Sequence, residues 1–169
     1  MEELSPIVQH ANKSSMTANT QEMAKVTTKN EIIPGLFQGN HLSQAILLSE
    51  LDVDIAVDLS IGHPPDGKCP KEEGKQYLYW VLEDSVVEDP VTLVALAKYL
   101  SVLLDHGKKI IVRCGEGHNR SGLLVATVLM VRGMKWWEAV DSIRDQHEAV
   151  ALNNQRFIEW LQSLDLASV

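Results

Sequence analysis

The chain has 169 residues, 45% of them hydrophobic, which suits one domain with its own core and excludes global disorder. Its formal net charge of −8, from 15 basic against 23 acidic side chains, argues against a nucleic-acid partner, which would need a basic face. Two cysteines are too few for a disulfide scaffold, and no apolar run approaches the ~18 residues of a membrane span. With an acidic start and no apolar leader behind it, the chain is expected to be cytoplasmic, away from membranes, and monomeric.

Residues 1–29 are rich in Ser, Thr, Asn, Gln and Lys and show no helical or strand period. They read as a flexible N-terminal tail ahead of a domain spanning 30–169. Residues 32–39 predict a strand broken by a turn at Pro34-Gly35, and Ser43 an N-cap for a short helix running to Leu51. Residues 55–59 are a short apolar strand, followed by a loop of turn residues at 61–70. A third strand is predicted over 77–82. Pro90 suits the first turn of a helix that runs to Asp105 and stops at Gly107. A fourth strand follows at 109–113, then helices over 121–131, 136–147 and 154–164. This alternation predicts an α/β fold: a central, mainly parallel twisted sheet of four to five strands, flanked by helices on both faces.

The informative stretch lies between the fourth strand and the apolar helix: Cys114-Gly115-Glu116-Gly117-His118-Asn119-Arg120, then Ser121-Gly122. In an open α/β sheet, ligands bind at the carboxyl ends of strands, beside helix N-termini. Two glycines let the backbone curl so that successive N–H groups point inward and cradle an anion. The helix after the loop adds its positive end, and Arg120 adds a planar fork for two phosphate oxygens. The same positive groups favour the Cys114 thiolate, so a loop that binds phosphate also activates a nucleophile. Cys-x5-Arg spacing alone is weak. The bland alternative is a tight strand-to-helix turn around an inert cysteine.

Other features carry less. His41, His63, His106, His118 and His147 fall at no metal-ligand spacing, and neither cysteine belongs to a Cys-x-x-Cys pair. No metal site and no cofactor are therefore expected. In Trp136-Trp137 one ring is expected in the core and the other as a partly exposed cap. Gly115 and Gly117 lack the third glycine of a dinucleotide-binding fingerprint.

Cys114-x5-Arg120-Ser121 resembles the signature loop of the protein tyrosine phosphatase superfamily, and most closely that of compact, bacterial-type dual-specificity phosphatases. Residues 33–39 resemble the opening strands of that family, and 151–157 the start of its final helix. The resemblance spans roughly residues 31–165. It implies Cys114 as the nucleophile of a cysteinyl-phosphate intermediate and Arg120 as the phosphoryl ligand, with Ser121 bonded to the thiolate. Gly115, Glu116, Gly117, His118 and Asn119 would complete the substrate-binding loop, Glu116 bracing its neighbours. A general acid is still required, and the resemblance points to the segment after the third strand: Asp84, with Glu83 and Asp89 as competitors. The implied substrate is a phosphorylated protein, carrying phosphotyrosine and also phosphoserine or phosphothreonine, or a small phosphomonoester. One position departs from the family pattern: Arg113 stands where its members carry His. The alternatives are therefore a catalytically weak, phosphate-binding module and a phosphatase for a non-protein phosphomonoester. Oxidative pairing of Cys69 with Cys114 stays open.

Overall fold

The computed structural model describes residues 29–60 and 72–169. Residues 1–28 of the expected tail, the predicted loop at 61–70 and Cys69 lie outside the described residues. Five strands are present: β1 (Lys29–Ile33), β2 (Leu36–Gly39), β3 (Ile55–Asp58), β4 (Gln76–Tyr79) and β5 (Ile110–Arg113). Four α-helices follow the predicted order: α1 (Pro90–Asp105), α2 (Arg120–Val131), α3 (Trp136–Gln146) and α4 (Gln155–Ser163). No helix among the described residues is long and apolar enough to cross a membrane.

The sheet order is β1-β2-β5-β3-β4. Only β1 runs antiparallel, folded back on β2 by the turn at Pro34-Gly35, where Gly35 adopts a left-handed φ of 84°. The other pairs are parallel, with Gly39 and Asp58 both in register with Arg113, and Tyr79 in register with Asp58. Four strands therefore end at one edge, and the chain leaving the central strand β5 emerges between the ends of β2 and β3. That is where an open α/β sheet leaves a crevice.

β3 and β5 are buried along their whole length, as continuous apolar runs in parallel strands should be. Side chains alternate across the pleat. Ile55, Val57, Ile110 and Val112 join the main core, whereas Ala56 and Ile111 join a smaller one. The core residues of all four α-helices belong to the main cluster, including Leu93, Leu124, Val140 and Phe157. The smaller cluster is closed instead by Leu48, Leu51 and Val53. Helices on both faces were expected; among the described residues the second face carries no α-helix. The predicted helix over 43–51 contracts to a 3-10 helix at His41–Ala45, capped not by Ser43 but by Asn40, whose side chain accepts from Leu42 N–H at 3.0 Å. The segment that follows packs on the sheet as turns, with a single α-type bond from Leu51 N–H to Leu47 O at 3.0 Å.

The third strand also ends early. β4 stops at Tyr79, and the chain beyond it keeps only single bonds to the β3 side, Trp80 N–H to Asp58 O at 3.0 Å and Leu82 N–H to Leu59 O at 3.4 Å. Termination of α1 follows expectation: Asp89 caps its start through Thr92 N–H, and beyond Asp105 the left-handed Gly107 lets Lys108 N–H reach back to Leu103 O at 3.0 Å. α2 is buried from Ser121 to Met130, which makes it the central helix of the layer. Trp136 packs against the core, and Trp137, 49% exposed, meets it edge-to-face at 5.8 Å.

Candidate active site

The loop 114–120 joins the end of β5 to the start of α2, as the sequence pattern requires. Its curl is held from outside by its own carbonyls. Gly115 O accepts the His41 backbone N–H at 2.9 Å. Gly117 O accepts Gln38 Nε2 at 2.7 Å and His147 Nε2 at 2.9 Å. His118 O accepts Leu152 N–H at 3.3 Å. In a trans peptide the N–H points opposite to the C=O. The amides of Glu116, His118 and Asn119 are thereby turned to the inner side of the loop.

Gly117 has no substitute in this arrangement. Its φ is +78°, and an added Cβ would sit 2.9 Å from Gly39 O and 3.0 Å from Asn40 Cβ. The loop passes that close to the end of β2 where Gln38, fully buried in an otherwise apolar strand, donates to the outward-turned Gly117 carbonyl.

Cys114 is 1% exposed at the loop floor. Its thiol donates to Ser121 Oγ at 3.4 Å, and Ser121 is also reached by Gln38 Nε2 at 3.3 Å. Arg120 opens α2, and its guanidinium folds back over the loop, so close to Gly115 that a Cβ there would be 3.1 Å from Nη2. Arg120 Nε is buried and has no hydrogen-bond partner among the described residues. The N-terminus of α2 has no side-chain cap, since Asn119 at the cap position turns its amide elsewhere. Unfilled donors from a helix start and a guanidinium thus face one loop, which is the arrangement an oxyanion fills.

Asn119 turns toward the acid. Its Nδ2 donates to Asp84 Oδ2 at 3.0 Å and to Asn153 Oδ1 at 2.9 Å, and its Oδ1 accepts Asn154 N–H at 3.0 Å. Asn154 Nδ2 donates to the other Asp84 oxygen at 2.7 Å. Of the three predicted acids, Asp84 alone is bonded to the loop. Asp89 is occupied as the α1 cap, and hydrogen bonds from Thr92 hold its pKa below the ordinary carboxylate value. Glu83 and Glu116 are exposed, and the bracing expected of Glu116 falls to Gln38, His41 and His147.

Arg113 does not face the thiol. Consecutive residues of a strand point to opposite faces. The Arg113 side chain, 3% exposed, enters the second face, where Nε meets Asp58 Oδ2 at 3.2 Å and Nη1 donates to Ser43 O at 2.8 Å. Its guanidinium also lies 5.4 Å from the centroid of the Tyr77 ring. It therefore ties β5 to β3 and to the 3-10 helix, in place of any direct tuning of Cys114.

Two further groups escaped sequence reasoning. Gln38, Asn153 and Asn154 lie far from Cys114 in the chain, and their only sequence signal was a polar residue in an apolar strand and an Asn pair before the last helix. The histidine spacings predicted no metal site, yet the fold brings His118, His147 and Glu148 together, one donor atom from each within 4.8 Å of the others. Burial pushes the His147 imidazole below its ordinary pKa, with the charge of Glu148 and the Gly117 carbonyl opposing.

A family model described as "Dual specificity phosphatase, catalytic domain" matches residues 36–165. No curated protein matches the chain. Among solved structures, a mouse putative dual specificity phosphatase complexed with zinc tungstate is 25% identical, covers 79% of this chain and 84% of its own, and has a TM-score of 0.69. Human DUSP28 is 22% identical over 79% of this chain and 90% of its own, with a TM-score of 0.67. A human tyrosine phosphatase-like serine/threonine/tyrosine-interacting protein is likewise 22% identical, over 80% and 93%, with a TM-score of 0.67. These matches, the sheet order and the loop at the end of its central strand agree: the chain belongs to the dual specificity phosphatase family, and it is a phosphatase.

Proposed function

We propose that this phosphatase hydrolyses phosphate monoesters through a cysteinyl-phosphate on Cys114. The observation that carries the reading is the loop itself. Its carbonyls are bonded outward at Gly115, Gly117 and His118, and the buried Arg120 Nε–H has no hydrogen-bond partner among the described residues. The phosphoryl oxygens would fill the loop amides and the Arg120 fork, which strengthens as charge develops on them.

In the first step the Cys114 thiolate attacks phosphorus, and the bond from phosphorus to the leaving oxygen breaks. Asp84 gives that oxygen its proton, because an alkoxide or phenoxide leaves poorly without one. In the second step Asp84 takes a proton from water as the water oxygen attacks phosphorus. The S–P bond breaks, inorganic phosphate leaves, and Ser121 stabilises the returning thiolate. The 3.4 Å contact between Cys114 Sγ and Ser121 Oγ supports that last role.

Phosphotyrosine is the preferred substrate in this reading, with phosphoserine and phosphothreonine also admitted. The compact chain has little room for the extra loops that deepen a strictly tyrosine-selective pocket. Polyanionic substrates are disfavoured by a net charge of −8 and by a loop without lysine. The alternative of a weak phosphate-binding module was motivated by Arg113, and that side chain is engaged with Asp58 and Ser43 on the opposite face. A cytoplasmic, monomeric protein completes the proposal.

The test is hydrolysis of p-nitrophenyl phosphate in excess EDTA by the wild type and by Cys114→Ser. Turnover that resists chelation and vanishes in the variant is expected. Turnover retained by Cys114→Ser removes the thiolate mechanism, and a folded, reduced wild type without turnover leaves the binding module in its place.

A further inference from the structure

One group of donor atoms at the loop rim has no part in the chemistry above. His118 belongs to the loop, and His147 and Glu148 directly follow α3. The two imidazole rings stand 6.0 Å apart and tilted by 57°, so they converge rather than stack. His118 Nε2 lies 3.0 Å from Glu148 Oε2.

His147 is set up for a ligand it does not yet have. Its Nε2–H donates to the Gly117 carbonyl at 2.9 Å, which fixes the tautomer and leaves the lone pair on Nδ1. That Nδ1 is buried and has no hydrogen-bond partner among the described residues. A metal-bound imidazole characteristically donates its second N–H to a backbone carbonyl or carboxylate, and His147 already does so.

We propose that His118, His147 and Glu148 form a binding site for a zinc-class divalent cation at the rim of the phosphate loop. Two imidazoles and a carboxylate suit zinc, whereas magnesium and calcium prefer all-oxygen shells. Bonds of about 2.0–2.2 Å in a tetrahedron ask the donors to stand roughly 3.4 Å apart. The donor atoms already lie within 4.8 Å of one another, so they would have to close by only about an ångström. The groups that must move are the freer ones, since the side chains of His118 and Glu148 are 26% and 55% exposed. Three protein ligands leave a fourth position for water. A bound cation would cross-link the phosphate loop to the end of α3, and so stabilise the folded chain by an amount that grows with the logarithm of free metal above the dissociation constant.

The test uses the full chain with Cys69→Ser and Cys114→Ser, so that no thiolate competes for the metal. Zinc chloride is titrated into it by calorimetry in a non-coordinating buffer. Saturable one-to-one binding is expected, unaffected by excess magnesium and accompanied by a higher Tm. Adding His147→Ala or Glu148→Gln should each weaken binding by at least about tenfold, the scale on which even groups outside the coordination sphere act. Glu148→Gln alters an exposed side chain, so it reports on binding even where His147→Ala disturbs the fold. Absence of saturable binding, or binding that Glu148→Gln leaves unchanged, overturns the site. The readout needs no turnover, so its failure is separate from failure of the cysteine mechanism.

Discussion

The loop at 114–120 and the segment at 80–89 serve one site, but they are held in opposite ways. The loop runs between a fully buried strand and a helix buried over ten successive residues, and its carbonyls are bonded from residues 38, 41, 147 and 152. The acid segment is exposed at Val81, Glu83, Asp84, Val86 and Glu88, and Leu82 is its one buried anchor. Asp84 owes its position to amides of Asn119 and Asn154, one of them in the loop. Binding a tetrahedral anion demands donors that do not move, because reorganisation would consume the electrostatic gain. Moving a proton demands only reach, and a lightly held carboxylate retains it. The difference teaches that the buried part positions the exposed part.

That contrast can be broken most forcefully at the acid. Asp84→Asn should lower kcat for phenyl phosphate by about 10²–10⁴-fold, and less for p-nitrophenyl phosphate, whose leaving group needs little help from a proton. Steady-state kinetics on the two esters checks this, and a loss that follows Glu83→Gln instead would move the role one residue back. On the rigid side, Arg113→Leu takes the guanidinium from the buried Asp58 carboxylate, which keeps its Ser60 donors but loses its counter-charge, and should cost roughly 3–5 kcal/mol in denaturant unfolding. Pairing it with Asp58→Leu should recover most of that loss, and recovery would mark Arg113 as a strut rather than a catalyst.

Smaller effects sharpen the comparison. Asn154→Ala removes one of the two amides on Asp84, and a net hydrogen bond of about 0.5–1.5 kcal/mol corresponds to a two- to tenfold fall in kcat. KM for p-nitrophenyl phosphate should stay unchanged, because the anion-binding loop is untouched; an equal rise in KM would mean that Asn154 supports the loop instead. The smallest effect concerns acid stability. Asp54 accepts the Lys109 N–H at 3.0 Å, which with Lys75 holds its pKa below the ordinary value. A depressed carboxylate contributes stability above its unfolded value, about 3.9, and loses it as pH falls through the lower folded value. Asp54→Asn should therefore lower stability at neutral pH, where the depressed carboxylate contributes, and converge with the wild type below about pH 4, so that the acid-unfolding curve is flatter there. Unfolding followed by circular dichroism from pH 6 to 2 reads this directly.

By itself the sequence determined the elements with strong local signals. Pro90 behind Asp89 and Gly107 after the last turn delimit α1, because the missing N–H of proline and the left-handed freedom of glycine are properties of single residues. The apolar run after Ser121 specified a buried helix, and Cys114 with its glycines and Arg120 specified an anion loop, since contiguous residues share one backbone path. Only the tertiary structure decided the rest. It bonded Asp84, and neither Glu83 nor Asp89, to two asparagines, one of them 70 residues away. It turned Arg113 away from the thiol through strand alternation and a buried partner in β3. It left the second sheet face to turns, which bury Leu48, Leu51 and Val53 there, instead of a continuous helix. It also drew His118 to His147 and Glu148 across 29 and 30 residues of chain, a convergence that no spacing rule for contiguous ligands detects. Local propensities act within a turn or two, whereas side-chain partnerships at a site are set by which strand ends the sheet brings side by side.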